Sequence, residues 1–138
     1  MSLLIAIALA AGPEIPPQFT GKYSLAFAER ERVPVCDRPE RHYLTITSDS
    51  IDWGNGSVVS LISVEPVSDR DAHVWVKEPG GKPENVRLYH FFLDPAEERP
   101  LVIIDEIEEM QIQARAPGTD DAGLLGLYFR CQAEAGAP

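Results

Sequence analysis

At 138 residues, 44% of them hydrophobic, the chain has room for one domain with a real core, and its composition is not that of a disordered tail. Acidic residues outnumber Lys and Arg 22 to 12, a formal charge of −10. A field of that sign repels phosphate backbones and anionic lipid, which argues against nucleic acid as a partner and favours basic proteins or cationic ligands.

Residues 1–12 read as a signal segment. Leu3 to Ala11 is an uninterrupted apolar run, and Ala8-Leu9-Ala10 has the small-x-small pattern that signal peptidases cut after. Nine apolar residues are too few to span a bilayer, which takes ~20 in a helix, so no membrane span is expected in the mature chain. No Lys or Arg precedes the run, and a hydrophobic first strand or short helix packed on the domain is the alternative. Residues 13–18 are Pro-rich and read as a linker, 19–131 as the folded domain and 132–138 as a loose tail.

Within 19–131 short strands alternate with turns. Phe19 to Phe27 opens the domain, with Tyr23, Leu25 and Phe27 alternating against Lys22, Ser24 and Ala26. Leu44 and Ile46 alternate with Tyr43, Thr45 and Thr47. Ile51-Asp52-Trp53 then meets Gly54-Asn55-Gly56-Ser57, and Asn-Gly is a strong hairpin signal because both residues tolerate positive φ. Val58 to Val64 is apolar on both faces, as expected of a strand covered on both sides. Val74 and Val76 oppose His73 and Trp75 in the next strand. After a Pro-Gly-Gly turn, Val86 to Leu93 follows, and Leu101 to Ile104 is a compact β-branched run. Ile107 to Ala114 fits helical and strand spacing alike; its flanking glutamines and short neighbours favour a strand. Leu124 to Cys131 closes the domain.

This is an all-β pattern: a small antiparallel meander of about eight strands, closed or partly closed into a barrel, with a sandwich as the alternative. Cys36 and Cys131, far apart in a chain that looks exported, read as one disulfide closing a loop of about 95 residues. Two separate buried thiols in a cytoplasmic protein are the alternative. Cys36 lies just after the first strand and Cys131 on the last, and in a barrel those strands are neighbours, so the bond would lock the closing seam.

Gly21-Lys22-Tyr23 on the first strand and Arg130 on the last resemble the Gly-x-Trp and the cross-packing arginine of the calycin superfamily, the lipocalins and their relatives. The resemblance implies a Tyr23–Arg130 pair at one barrel end, with the guanidinium over the ring, and an interior able to hold a small apolar ligand. The chain is also similar to small bacterial exported proteins of unknown function that end in an aromatic-Arg-Cys motif, here Phe129-Arg130-Cys131.

Signatures of catalysis are missing. His42, His73 and His90 share no H-x-H or H-x-x-x-H spacing, and His90, on one face with Val86, Leu88 and Phe92, reads as a packing residue rather than a metal ligand. The carboxylate runs Asp105 to Glu109 and Asp120-Asp121 read as solvated edges, without the alternating pattern of a calcium loop. No G-x-S-x-G elbow is present, and Gly80-Gly81-Lys82 lacks the spacing of a phosphate loop. The expectation is therefore a periplasmic or secreted binding protein, not an enzyme, with no cofactor. It would hold a small apolar ligand lined by Trp53, Trp75, Tyr89 and Phe92. The alternative is a protein-binding module, such as an enzyme inhibitor or envelope accessory, whose acidic surface at Asp105 to Glu109 meets a basic partner.

Overall fold

The computed structural model describes residues 13–26, 33–79, 85–95 and 100–132. The signal segment and most of the tail therefore lie outside the described residues, as do Phe27 and Gly80 to Lys82. Eight antiparallel strands form a closed up-and-down barrel in chain order: β1 (Gly21–Leu25), β2 (Leu44–Ile46), β3 (Ser50–Asp52), β4 (Val58–Pro66), β5 (Asp71–Lys77), β6 (Val86–Leu93), β7 (Leu101–Asp105) and β8 (Leu124–Arg130). β8 returns to pair with β1, Tyr23 opposite Arg130 and Leu25 opposite Tyr128, so closure leaves no free sheet edge.

Period-2 alternation decides which side chains enter the barrel. In β5 Ala72, Val74 and Val76 are buried while His73, Trp75 and Lys77 point out. In β6 Tyr89, Phe91 and Leu93 are buried, and in β7 Leu101, Ile103 and Asp105 are. With Tyr23, Leu44, Ile46, Ile51, Val59 and Tyr128 the apolar members form one contiguous core. Gly126 of β8 faces that core opposite Ile103, and a Cβ there would press on Leu25 and the Tyr128 ring. The missing side chain makes room for the aromatic.

One end of the barrel is closed by residues that the sequence marked as linker. Residues 13–18 are not a free tether. Ile15 is in the core, its amide donates to the Ser48 carbonyl, and a 3-10 turn at Pro17–Phe19 drives Phe19 into the barrel against Phe91, ring centroids 5.9 Å apart. Proline at the first position supplies the φ that the turn needs.

Between β7 and β8 the chain forms a helix, α1 (Glu106–Arg115), where a strand was expected. The sequence does carry the signal. The Asp105 carboxylate accepts the Glu108 amide as an N-cap, three acidic residues fill the first turn and Arg115 the last, an arrangement matched to the helix dipole. The return is tight: Gly123 has φ 78°, and a Cβ would collide with the Asp105 carbonyl and with Glu109.

A second expectation also fails. The outer side of β4 is uncovered, with Val58 49% and Ile62 47% exposed, so its apolar residues do not reflect cover on both sides.

Candidate functional site

The disulfide joins Cys36 to Cys131, the residue directly after β8, where the Cys131 amide donates to the Lys22 carbonyl of β1. Gln132 then binds the 33–36 segment by its backbone to Pro34 and its side chain to the Val33 carbonyl. Seam and disulfide are thus one unit. A groove of about 380 Å3 runs beside it, lined by Lys22, Val35, Cys36, Arg130 and Gln132 among others.

Arg130 lies on the other face of the last turn of β8. Its guanidinium carbon stands 5.1 Å from the Tyr23 ring centre, and Nη2 donates to the Tyr23 hydroxyl at 2.7 Å and to the Gln18 carbonyl at 2.6 Å. The Tyr23 hydroxyl donates onward to the Phe19 carbonyl at 2.8 Å. The pair therefore locks the 3-10 turn into the closed end. Burial pushes the Tyr23 phenol up, against the pull of the Arg130 charge.

Of the four aromatics expected to line a ligand chamber, the structure brings two together. Trp53 meets Tyr89 edge-on at 5.9 Å and Tyr128 at 6.3 Å, at the end of the barrel away from the 3-10 turn. Burial holds the Tyr128 hydroxyl near a pKa of about 12 and pushes Tyr89 up further, with the Glu78 charge adding to it. Trp75 and Phe92 cannot join them. Trp75 lies between buried Val74 and Val76, and Phe92 between buried Phe91 and Leu93, so alternation turns both outward.

That outward turn gathers a different surface. Cross-strand partners share a face of the sheet. One outer row runs Ser63, Trp75, Leu88; the next Glu65, His73, His90, Ile104, Leu124; the third Asp71, Phe92, Val102, Leu127. The outside of the β5–β8 wall thus carries two apolar rows, Trp75–Leu88 and Phe92–Val102–Leu127, on either side of a row that is polar at His73 and His90 and apolar at Ile104 and Leu124. Its exposed apolar members are Trp75 (38%), Leu127 (38%) and Leu124 (42%).

Acidic groups border the wall, but not as the sequence reading had them. Asp105 faces inward, capping α1 and standing 3.8 Å from the Arg87 Nε, whereas Glu106, Glu108 and Glu109 ride on α1. In the middle row His90 Nε2 lies 2.8 Å from Asp71 Oδ1, Nδ1 lies 3.5 Å from Glu106 Oε1, and the His73 ring meets it edge-on at 5.0 Å. His90 is a bridging residue rather than a lone packing one. His42 stands apart, its Nδ1 2.8 Å from the Gly54 carbonyl. Among the described residues, no group of three or more His, Cys, Asp or Glu is placed to hold a metal ion.

Comparison of the chain with protein-family models, with curated proteins and with solved structures finds no match.

Proposed function

We propose that the chain is an exported, non-catalytic protein-binding module that docks through the outer wall of β5–β8. The observation that carries this reading is the double-sided wall. Inside, the barrel's own side chains form one buried cluster; outside, Trp75 pairs with Leu88 and Phe92 with Val102 and Leu127, in two rows that flank His73 and His90, and Leu124 pairs with Ile104 at the β8 end of the row between them. Contiguous apolar surface on a water-facing sheet marks an interaction site far better than scattered exposed residues do.

The partner's chemistry follows from the border. Glu65, Asp71, Glu106 and Glu109 edge the wall of a chain with a formal charge of −10, so the surface fits a protein that offers apolar side chains ringed by Lys or Arg. Trp75 is the natural anchor, since tryptophan dominates hot spots at interfaces. Carriage of a small apolar ligand is supported less well. Among the described residues the barrel interior is taken up by one buried cluster that includes Phe19, Tyr23, Tyr89 and Phe91, and Trp53 packs against it.

Export is supported by the Cys36–Cys131 bond and by the apolar run with its small-x-small site. No helix among the described residues is long and apolar enough to cross a membrane.

The test uses the purified chain and its Trp75→Ser/Leu127→Ser double variant as immobilised baits for the exported protein fraction of the source cells. A partner retained by the wild type, lost from the equally stable double variant and released as salt rises supports docking. Equal retention by both baits overturns it, as does a stoichiometric small molecule in the native mass of the purified chain.

A further inference from the structure

We infer that the His90–Glu106 contact is a pH-responsive latch that pins the first turn of α1 to the barrel wall while a proton lies between the two groups and lets it go when that proton is lost. The inference stands whether or not the wall docks a partner.

The geometry sets the requirement. Carboxylate oxygens face both ring nitrogens, Asp71 Oδ1 at 2.8 Å from Nε2 and Glu106 Oε1 at 3.5 Å from Nδ1. A neutral imidazole has a single N–H and can donate to one of them; only the imidazolium donates to both. When the ring is neutral and its proton stays toward Asp71, the bare Nδ1 lone pair confronts the Glu106 oxygen. The contact then turns from attraction to repulsion, the proton having gone to solvent.

The carboxylates around His90 attract a charged ring, whereas His73 beside it repels one when it is itself protonated. From β5 come Asp71 and His73, from β4 Glu65 as the cross-strand partner of His73, and from α1 Glu106 and Glu109. β7 contributes only the apolar Ile104 opposite His90. The His90 hydrogen bond holds the Asp71 carboxyl below its usual range, so that partner is lost only as pH falls through a value under the ordinary ~3.9 for aspartate. Glu106 moves the other way: burial, then the hydrogen bond and charge of Glu109, raise it. A raised carboxyl stabilises the fold while protonated, and that contribution disappears as pH rises through the raised value. The latch is thus closed in mild acid and opens toward alkali.

α1 is built to respond. None of its ten residues is buried and Met110 is 70% exposed, so apolar packing does little to hold it. Among the described residues its first turn is held by the Asp105 cap, the Gly123 return beside it and the His90–Glu106 contact, while near its far end Gln113 donates to the Thr119 carbonyl and accepts from the Gly118 amide. Release of the first turn would bare the middle row of the outer wall next to Ile104.

Hydrogen exchange on the full chain, corrected for the intrinsic pH dependence of exchange, tests this at the amides of Met110 to Ile112. Protection in the wild type should fall about fivefold between about pH 5 and about pH 9, the scale of one partly exposed ion pair, with the β5 and β6 amides unchanged. His90→Gln, which can donate to one carboxylate at any pH, should give a flat profile. Glu106→Gln should keep α1 protected at both pH values. A wild-type profile already flat overturns the proposal, and so does a Glu106→Gln profile that falls as the wild type's does. The Glu106→Gln result decides even if His90→Gln fails to fold.

Discussion

Replacing Arg130 with Met removes the guanidinium and keeps the apolar stem, so the change isolates what the charge does at the closed end. Two hydrogen bonds are lost, to the Tyr23 hydroxyl and the Gln18 carbonyl, together with the ring contact at 5.1 Å. A hydrogen bond to a charged group contributes ~1.5–3 kcal/mol when its partner is left unpaired. Here the Tyr23 hydroxyl keeps the Phe19 carbonyl, and the Gln18 carbonyl can turn to water, so the lower figure applies once rather than twice. Adding ~0.5–1 kcal/mol for the ring contact gives an expected loss of ~2–2.5 kcal/mol. Urea unfolding of the disulfide-bonded variant measures it, with the midpoint lowered and the slope unchanged. The Tyr23 phenol should also titrate higher, because the charge opposing its burial has gone. A loss below about 0.5 kcal/mol, or an unmoved phenol, would refute the claim that this pair holds the 3-10 turn in place.

Two further outcomes follow from the same framework. Cys36→Ser/Cys131→Ser opens a loop of sequence separation 95, for which chain entropy sets an upper value of ~4.7 kcal/mol; chemical denaturation should show a loss of at least half that, with the barrel still formed. Alkaline titration followed by phenolate absorbance should leave Tyr128 protonated until about 12 and Tyr89 beyond it. An acid whose folded pKa is raised stabilises the fold below its unfolded value of ~10, and that stability drains away as pH rises through the folded value. The cooperative unfolding transition should therefore fall in this interval, and three ordinary phenols in the native protein would contradict the packing described.

The strands were legible wherever one face meets the core and the other water. Val74 and Val76 against His73 and Trp75 is such a case, and the structure buries that valine pair. The Asn55-Gly56 hairpin was equally plain: the Trp53 amide donates to the Ser57 carbonyl and the Asn55 side chain accepts from the Ser57 amide. The Cys36–Cys131 seam could be placed because closure of a meander makes the first and last strands neighbours, whereas the Tyr23–Arg130 pair came from the calycin resemblance. α1 was misread because hydrophobic spacing was weighed and caps were not; Asp105 with Glu108 three residues on was the stronger signal. Alternation sets Trp75 opposite Val74 and Val76, and Phe92 opposite Tyr89 and Phe91, but does not say which face is inward; the core takes the valines, Tyr89 and Phe91 and leaves Trp75 and Phe92 outside. The buried Ile15–Phe19 segment had no periodic signal at all. Its docking depends on Ser48, Phe91 and Arg130, which come near only after the barrel closes.

The account turns on the outer wall being the working surface, and a photoreactive side chain at Leu127 in the full chain, within its source cells, tests that most directly. The same group at exposed Asn55, on the loop between β3 and β4, serves as control. The docking account predicts one protein adduct from position 127, none from position 55, and loss of the adduct when Trp75→Ser is added. Equal labelling from both positions, or an adduct that survives Trp75→Ser, would contradict it.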